Sequence, residues 1–231
     1  MNVIGVGGAG CKIAKQFTQY PQYTVHYIDH RDHGEGSLVL KKHDHPEKYE
    51  ENAPDFTSFL QHLSEDDVIM IICGASFVSS VALRLLEKMQ DKNVTVHYIR
   101  PDVTMLSKVK KLNEKVIRNV LQHFARSGKF DRIFLWDNQK TEDILGDVPV
   151  IGFWDTINQL ISSSIHMLNI FRNTEPVMGE LETPSSTCRI TSVGIKYLET
   201  NEEKMFFPLD NVRESCYIYN RIIKCLVWNF P

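Results

Sequence analysis

The sequence has no long apolar run, no cysteine pair at redox or metal-binding spacing, and no surplus of basic residues. A membrane-spanning helix needs ~20 apolar residues, so we expect no membrane span. The net charge of −3 argues against a general nucleic-acid binder. Five scattered cysteines without a C-x-x-C pair are typical of reduced, mostly buried thiols. With no signal-peptide pattern at the start, we expect a cytoplasmic protein, in the host cytoplasm if the gene is viral.

Apolar runs alternate with amphipathic stretches along most of the chain. β-Branched and aromatic runs predict strands, at 1–4, 23–28, 68–73, 94–99, 132–136, 189–198 and 204–208. Apolar residues at helical spacing predict helices, at 11–17, 56–63, 78–92, 104–124 and 154–171. We interpret 33–55 as an irregular loop and 172–187 as a linker, and we leave 216–230 open between a strand pair and a short helix.

This alternation predicts an α/β fold, because strand–helix–strand units form parallel sheets through right-handed crossovers. We expect a Rossmann-like parallel sheet with helices on both faces, a long central helix and a short C-terminal β-containing subdomain. The predicted boundaries are 1–152 for the nucleotide-binding domain, 153–171 for the central helix and 172–231 for the subdomain. Ligands of such sheets bind beyond the carboxyl ends of the strands.

The first strand leads into a turn rich in glycine and then into a helix. Glycine lets a ligand approach the backbone closely, and the free N–H groups at a helix start attract an anion. The G-x-G-x-x-G spacing is shared by several dinucleotide-binding folds. Lys12 is either a charge partner for phosphate or a solvated helix lysine. The candidate phosphate-binding residues are Gly7, Gly8, Ala9, Gly10, Cys11 and Lys12.

Acidic and histidine residues follow the second strand. Asp29 and Asp32 stand where a Rossmann enzyme holds a ribose hydroxyl, or they belong to a polar loop. His43 and His45 have the spacing of a metal chelate. No cysteine is near them in the sequence, so we interpret the histidines of this loop as solvated and expect no metal site.

The order of these pieces resembles the tubulin/FtsZ family over about residues 2–171. The first turn, 7–13, is similar to that family's first glycine loop, and 132–138 resembles its strand leading to an asparagine loop. The resemblance implies that Asn138, Phe153 and Asn158 contact a guanine base. It also implies a second phosphate loop after the strand at 68–73, formed here by Gly74, Ala75 and Ser76.

The chain departs from the family pattern at that second loop, which keeps one glycine where the family has a run of glycine and threonine. The glycine-rich segment expected near 37–45 is absent. The family's hydrolytic acids lie after the central helix and act on a neighbouring subunit's nucleotide. Glu175 is the only candidate catalytic residue there.

Three hypotheses remain open. The first is a tubulin/FtsZ-like protein that binds GTP or GDP with Mg²⁺, self-associates head to tail and hydrolyses GTP weakly or not at all. The second is a degenerate pseudo-GTPase without a cofactor, acting as a structural or interaction protein. The third is a Rossmann-type enzyme that uses a dinucleotide or adenylate, with Asp29 or Asp32 on the ribose.

Overall fold

The computed structural model describes residues 1–147, 149–175, 187–220 and 223–230, with side chains up to Tyr217. All ten strands of the described chain lie in one sheet. They are β1 (Asn2–Val6), β2 (Thr24–Asp29), β3 (Ser37–Val39), β4 (Asp67–Cys73), β5 (Asn93–Arg100), β6 (Arg132–Asp137), β7 (Ile190–Lys196), β8 (Glu203–Met205), β9 (Glu214–Asn220) and β10 (Ile223–Phe230).

The strand order is β3-β2-β1-β4-β5-β6-β7-β10-β9, with β8 beside β7. All neighbouring strands on the path from β3 through β2, β1, β4, β5 and β6 to β7 pair in parallel. Strands β8, β9 and β10 pair antiparallel. Because β7 pairs directly with β6, the C-terminal strands extend the same sheet rather than forming a separate one.

Seven α-helices connect the strands in the described residues. They are α1 (Gly7–Lys15), α2 (Pro46–Glu51), α3 (Thr57–Gln61), α4 (Val81–Lys88), α5 (Lys108–Arg126), α6 (Asn138–Leu145) and α7 (Phe153–Arg172). None of these helices combines the length and the apolar character that crossing a membrane requires.

The core has one apolar cluster on each face of the sheet. One cluster joins the sheet to α4 and α5, and the other joins it to α1 and α7. Strand β4 is buried from Val68 to Cys73, which is what a continuously apolar strand covered on both faces requires. Helix α7 buries an apolar stripe at helical spacing, made of Ile157, Ile161, Ile165 and Leu168.

The structure differs from the sequence-based assignments in two segments and selects between the two alternatives that were left open for a third. Residues 33–55 contain β3 and α2, because Tyr49 is buried in the core and its hydroxyl accepts a hydrogen bond from the backbone of His43. Helix α6 was not predicted. Residues 214–230 form the strand pair β9–β10. Most of the predicted linker at 172–187 lies outside the described residues.

Candidate functional site

The carboxyl ends of the parallel strands bring the predicted turns to one edge of the sheet. The turns after β1 and β4 touch: a Cβ atom on Gly7 would lie 2.7 Å from Ser76 Oγ. The backbone of Gly7 has φ +73°, a conformation that favours glycine. The turn after β6 lies three strands from β1, or ~14 Å at the usual ~4.8 Å strand spacing. An extended ligand is needed to contact both.

The first turn presents an open helix N-terminus. Helix α1 begins at Gly7, Val6 supplies no side-chain cap, and the first turn has no acidic residue. Its first N–H groups therefore have no intrahelical partner, and an anion can accept hydrogen bonds from them. Gly8 is half-buried, and Ala9 and Lys12 are exposed. This end of the helix can hold phosphate.

Two residues of the predicted phosphate set serve packing. A Cβ atom on Gly10 would lie 2.5 Å from the backbone oxygen of Ile71, so this glycine lets α1 lie against β4. Cys11 is fully buried, and its thiol donates to the backbone oxygen of Gly5 at 3.3 Å. Burial is the main cause that raises the pKa of Cys11 to about 12.

Side chains from α5 and β5 fix the conformation of the second turn. Asn113 Nδ2 on α5 donates to the backbone oxygens of Gly74 and Ser76, at 3.1 and 3.3 Å. The Tyr98 hydroxyl donates to the Glu114 carboxylate at 3.1 Å and leaves no room for a Cβ atom on Gly74. Ala75 and Ser76 are partly buried. The turn is therefore held in one shape, with the Ser76 side chain against the first turn.

An amide without a partner lies at the far end of the edge. Asn138 is the first residue of α6, and Asp137 caps this helix by accepting hydrogen bonds from the backbone of Gln139 and Lys140. Within the described part of the chain, Asn138 Oδ1 is buried and has no hydrogen-bond partner. Leaving such an atom unpaired costs ~1–3 kcal/mol. A side-chain rotation that exposed this oxygen would let a ligand donate a hydrogen bond to it and remove this cost.

The other two residues predicted to contact the base belong to α7, which packs against α6. Phe153 is the first residue of α7, and its ring packs edge-on against Trp154 with centroids 5.2 Å apart. Asn158 lies more than one turn further along and is buried. The structure thus places Phe153 and Asn158 on the element beside Asn138.

Asp29 ends β2 beside the glycine turn, and its side chain is fully buried. One carboxylate oxygen accepts a hydrogen bond from His33 Nε2 at 3.0 Å, and the other lies 2.9 Å from His30 Nδ1. Asp32 lies further out and accepts a hydrogen bond from the backbone of Gly34. A buried Asp29 held between two imidazoles is poorly placed to contact a ribose.

Cys11 joins this cluster, which sequence reasoning missed. One ligand atom each from Cys11, Asp29 and His33 lies within 4.8 Å of the others. The cysteine comes from α1 and the other two from the end of β2 and its loop, so only the parallel pairing of β1 with β2 brings them together. The four-residue spacing of Asp29 and His33 was the one local feature of the sequence that could have indicated this cluster.

Glu175 lies at the opposite edge of the sheet. The last turn of α7 contacts the amino ends of the strands, where Asn169 Nδ2 donates to the Tyr23 hydroxyl at 2.9 Å and Arg172 pairs with Asp131 at 3.4 Å. Glu175 follows this turn and is exposed. Twenty helical residues span ~30 Å, so Glu175 is remote from the first glycine turn of its own chain.

Comparison with solved structures identifies the architecture. An FtsZ dimer from M. jannaschii, solved empty, matches with a TM-score of 0.66 at 14% identity, over 84% of this chain and 62% of that one. This is the tubulin/FtsZ fold. CetZ2 from Haloferax volcanii, solved as a GTPγS-bound protofilament, matches with a TM-score of 0.62 at 16% identity, over 84% and 65% of the two chains.

The FtsZ-like fold also matches CetZ from Methanosaeta thermophila, with a TM-score of 0.63, 12% identity, and coverage of 86% and 63% of the two chains. This chain spans just under two thirds of the length of each of these structures. No protein-family model and no curated protein matches the sequence. The predicted α/β fold and the resemblance to the tubulin/FtsZ family are therefore confirmed at the level of the fold.

Proposed function

We propose that this chain binds a guanine nucleotide across the carboxyl edge of its sheet and associates head to tail with further copies. The phosphates would lie at the start of α1, accompanied by Mg²⁺, and the base would lie against Asn138, Phe153 and Asn158. Hydrolysis of GTP would be weak or absent. The observation that carries the proposal is the buried, unpartnered Oδ1 of Asn138.

An amide oxygen at this position distinguishes guanine from adenine. The Watson–Crick edge of guanine carries two adjacent donors, N1–H and the exocyclic amino group, whereas adenine has an acceptor at N1. An unpaired amide oxygen can accept from either donor of guanine, whereas adenine offers it only the N6 amino group, next to the repelling lone pair of N1. Asn158, buried on the neighbouring helix, would supply a second amide. Together they favour guanine.

The proposed phosphate position rests on the start of α1. Its uncapped start offers backbone donors to an anion, and the helix dipole adds a favourable field. The rigid second turn, with Ser76 packed on Gly7, narrows the approach from the β4 side. Backbone atoms of Gly8 and Ala9 are therefore the proposed phosphate contacts.

The proposed head-to-tail association brings opposite ends of α7 in successive copies together. The candidate nucleotide edge lies at its start, and Glu175 lies past its end. An apolar patch, Val150, Ile151 and Trp154, lies beside the first turn of α7, with exposed fractions of 93%, 95% and 56%. Stacking copies end to end would cover this patch and bring Glu175 toward the next copy's nucleotide. Glu175 is the one acid of this segment within the described residues, and one carboxylate supports only slow activation of water.

The test compares nucleotide affinities of the full chain. Nucleotide that co-purifies is identified by chromatography, and GDP and ADP are titrated against the stripped protein. Asn138→Ala should weaken GDP binding by about 10- to 100-fold, as expected for ~1.4–3 kcal/mol. Asn119→Ala, an exposed asparagine on α5, is the matched control and should leave the affinity unchanged.

Each other result selects a different function. No binding of any nucleotide would favour the structural protein without a cofactor, and a preference for ADP or NAD would favour a Rossmann-type enzyme. Rapid GTP turnover that disappears in Glu175→Gln would contradict weak hydrolysis.

A further inference from the structure

We propose that Cys11, Asp29 and His33, assisted by His30, form a binding site for a Zn²⁺-class divalent ion beside the first glycine turn. This zinc site is a separate proposal: it uses side chains that the nucleotide does not need, and it stands whether or not a nucleotide binds.

The distances match the size of a coordination sphere. Zinc binds sulfur at ~2.3 Å and nitrogen or oxygen at ~2.0–2.2 Å, so tetrahedral ligand atoms lie within about 3–4 Å of one another. The chosen atoms of Cys11, Asp29 and His33 lie within 4.8 Å of one another. One pair, Asp29 Oδ2 and His33 Nε2, is 3.0 Å apart. For all three atoms to coordinate one ion, a separation of up to 4.8 Å must shorten by about 1 Å.

A second observation points to a ligand. The Asp29 side chain is fully buried, and within the described residues neither its Oδ1 nor His30 Nδ1 makes a hydrogen bond, although the two atoms are 2.9 Å apart. The two atoms form either an ion pair, which needs a charged imidazole, or two ligands of one bound ion. A buried carboxylate without full compensation is costly, and a cation would supply that compensation.

The donor set selects the ion. A thiol, imidazole and carboxylate suit zinc, whereas Mg²⁺ and Ca²⁺ take oxygen ligands. On binding, the Cys11 proton leaves to solvent and the thiolate coordinates the ion. The ion would cross-link α1 to the loop after β2. It would also offset the negative charge that Asp29 places close to Gly8, where a Cβ atom would lie 3.8 Å from Oδ2.

The experiment uses the full chain after treatment with a chelator. Zn²⁺ is titrated in competition with a chromophoric chelator, and Co²⁺ is added separately to look for thiolate-to-cobalt charge-transfer absorption. We expect one ion per chain and a charge-transfer band that Cys11→Ser abolishes. Asp29→Asn and His33→Ala should each weaken Zn²⁺ binding by more than the ~10- to 100-fold typical of outer-shell changes.

The control is the double variant His43→Ala and His45→Ala, which changes two histidines in the segment between β3 and α2 and should keep full affinity. Because Asp29 and Cys11 are buried, thermal melting of each variant checks that it folds. His33 is partly exposed, so His33→Ala should fold and should lose the rise in melting temperature that Zn²⁺ gives the wild type. Zn²⁺ binding that is absent in the wild type, or unchanged in His33→Ala and Asp29→Asn, overturns the proposal.

Discussion

His97, in the middle of the sheet, has its charge state set by burial. Its ring stacks on Phe134 with centroids 4.7 Å apart, and its Nδ1 accepts a hydrogen bond from Trp136 Nε1 at 3.1 Å. Burial, with a smaller effect of the Arg172 charge, lowers the pKa of His97 to about 3. The folded protein therefore keeps this imidazole neutral at every pH at which it is ordinarily studied.

We expect His97 to make stability depend on pH. Below its ordinary pKa of 6.5 the unfolded chain binds a proton that the folded chain excludes. Stability from this group is complete above pH 6.5 and is lost as pH falls toward 3, by up to ~1.4 kcal/mol per pH unit. Urea denaturation at about pH 7.5 and about pH 5 measures the free energy of unfolding at each pH. Between these two pH values the free energy of unfolding should fall less for His97→Gln than for the wild type. His123→Gln, on an exposed histidine, should behave as the wild type; equal losses in all three would contradict this assignment.

Single residues were predictable where local sequence decides their surroundings. Asn138 directly follows a buried strand, so its place at the carboxyl edge could be predicted. Cys11 could be assigned to the first helix, but its contact with Asp29 and His33 could not. That contact depends on the pairing of β1 with β2, which composition does not specify. The burial of Asp29 could not be predicted from the sequence for the same reason.

Two of the three glycines of helix α1, Gly8 and Gly10, have opposite roles, and the contrast is testable. A Cβ atom on Gly10 would overlap the backbone of β4 at Ile71, whereas a Cβ atom on Gly8 would meet nothing closer than 3.8 Å. Gly10→Ala should therefore destabilise the protein by at least the ~1–3 kcal/mol of an overpacked core. Gly8→Ala should be neutral or stabilising by up to ~1 kcal/mol through helix propensity. Chemical denaturation without nucleotide measures both, and a similar cost for the two would show that α1 does not lie against β4 as described.

Elements were predictable in proportion to their apolar content. Strand β4 and helix α7 were predicted because their buried faces leave long, regular patterns. Helix α6 buries only Thr141 fully among its eight residues, so no apolar stripe marks it. Its start is fixed instead by the Asp137 cap and its position by contact with α7. Helix α2 is short and buries only Tyr49, which is equally little signal.

At the level of the assembly, the exposed apolar patch gives a direct test. We expect the wild type to form oligomers in the presence of GTP, and Ile151→Glu to prevent this, because a charge would enter the covered contact. Leu198→Glu is the matched control, on a surface residue in the turn between β7 and β8 with an exposed fraction of 56%. Sedimentation velocity and electron microscopy report the result. Unchanged assembly of Ile151→Glu would place the contact elsewhere.

Helix α7 has a mechanical consequence, since one rod reaches from Phe153, a proposed base contact, to the strand starts near Asp131. Over ~30 Å of helix, a tilt of about 10° at the Phe153 end displaces the Asn173 end by ~5 Å. A ligand that tilted the Phe153 end would thereby displace the Asn173 end, which is the part of the helix that would face the next copy in the proposed stack.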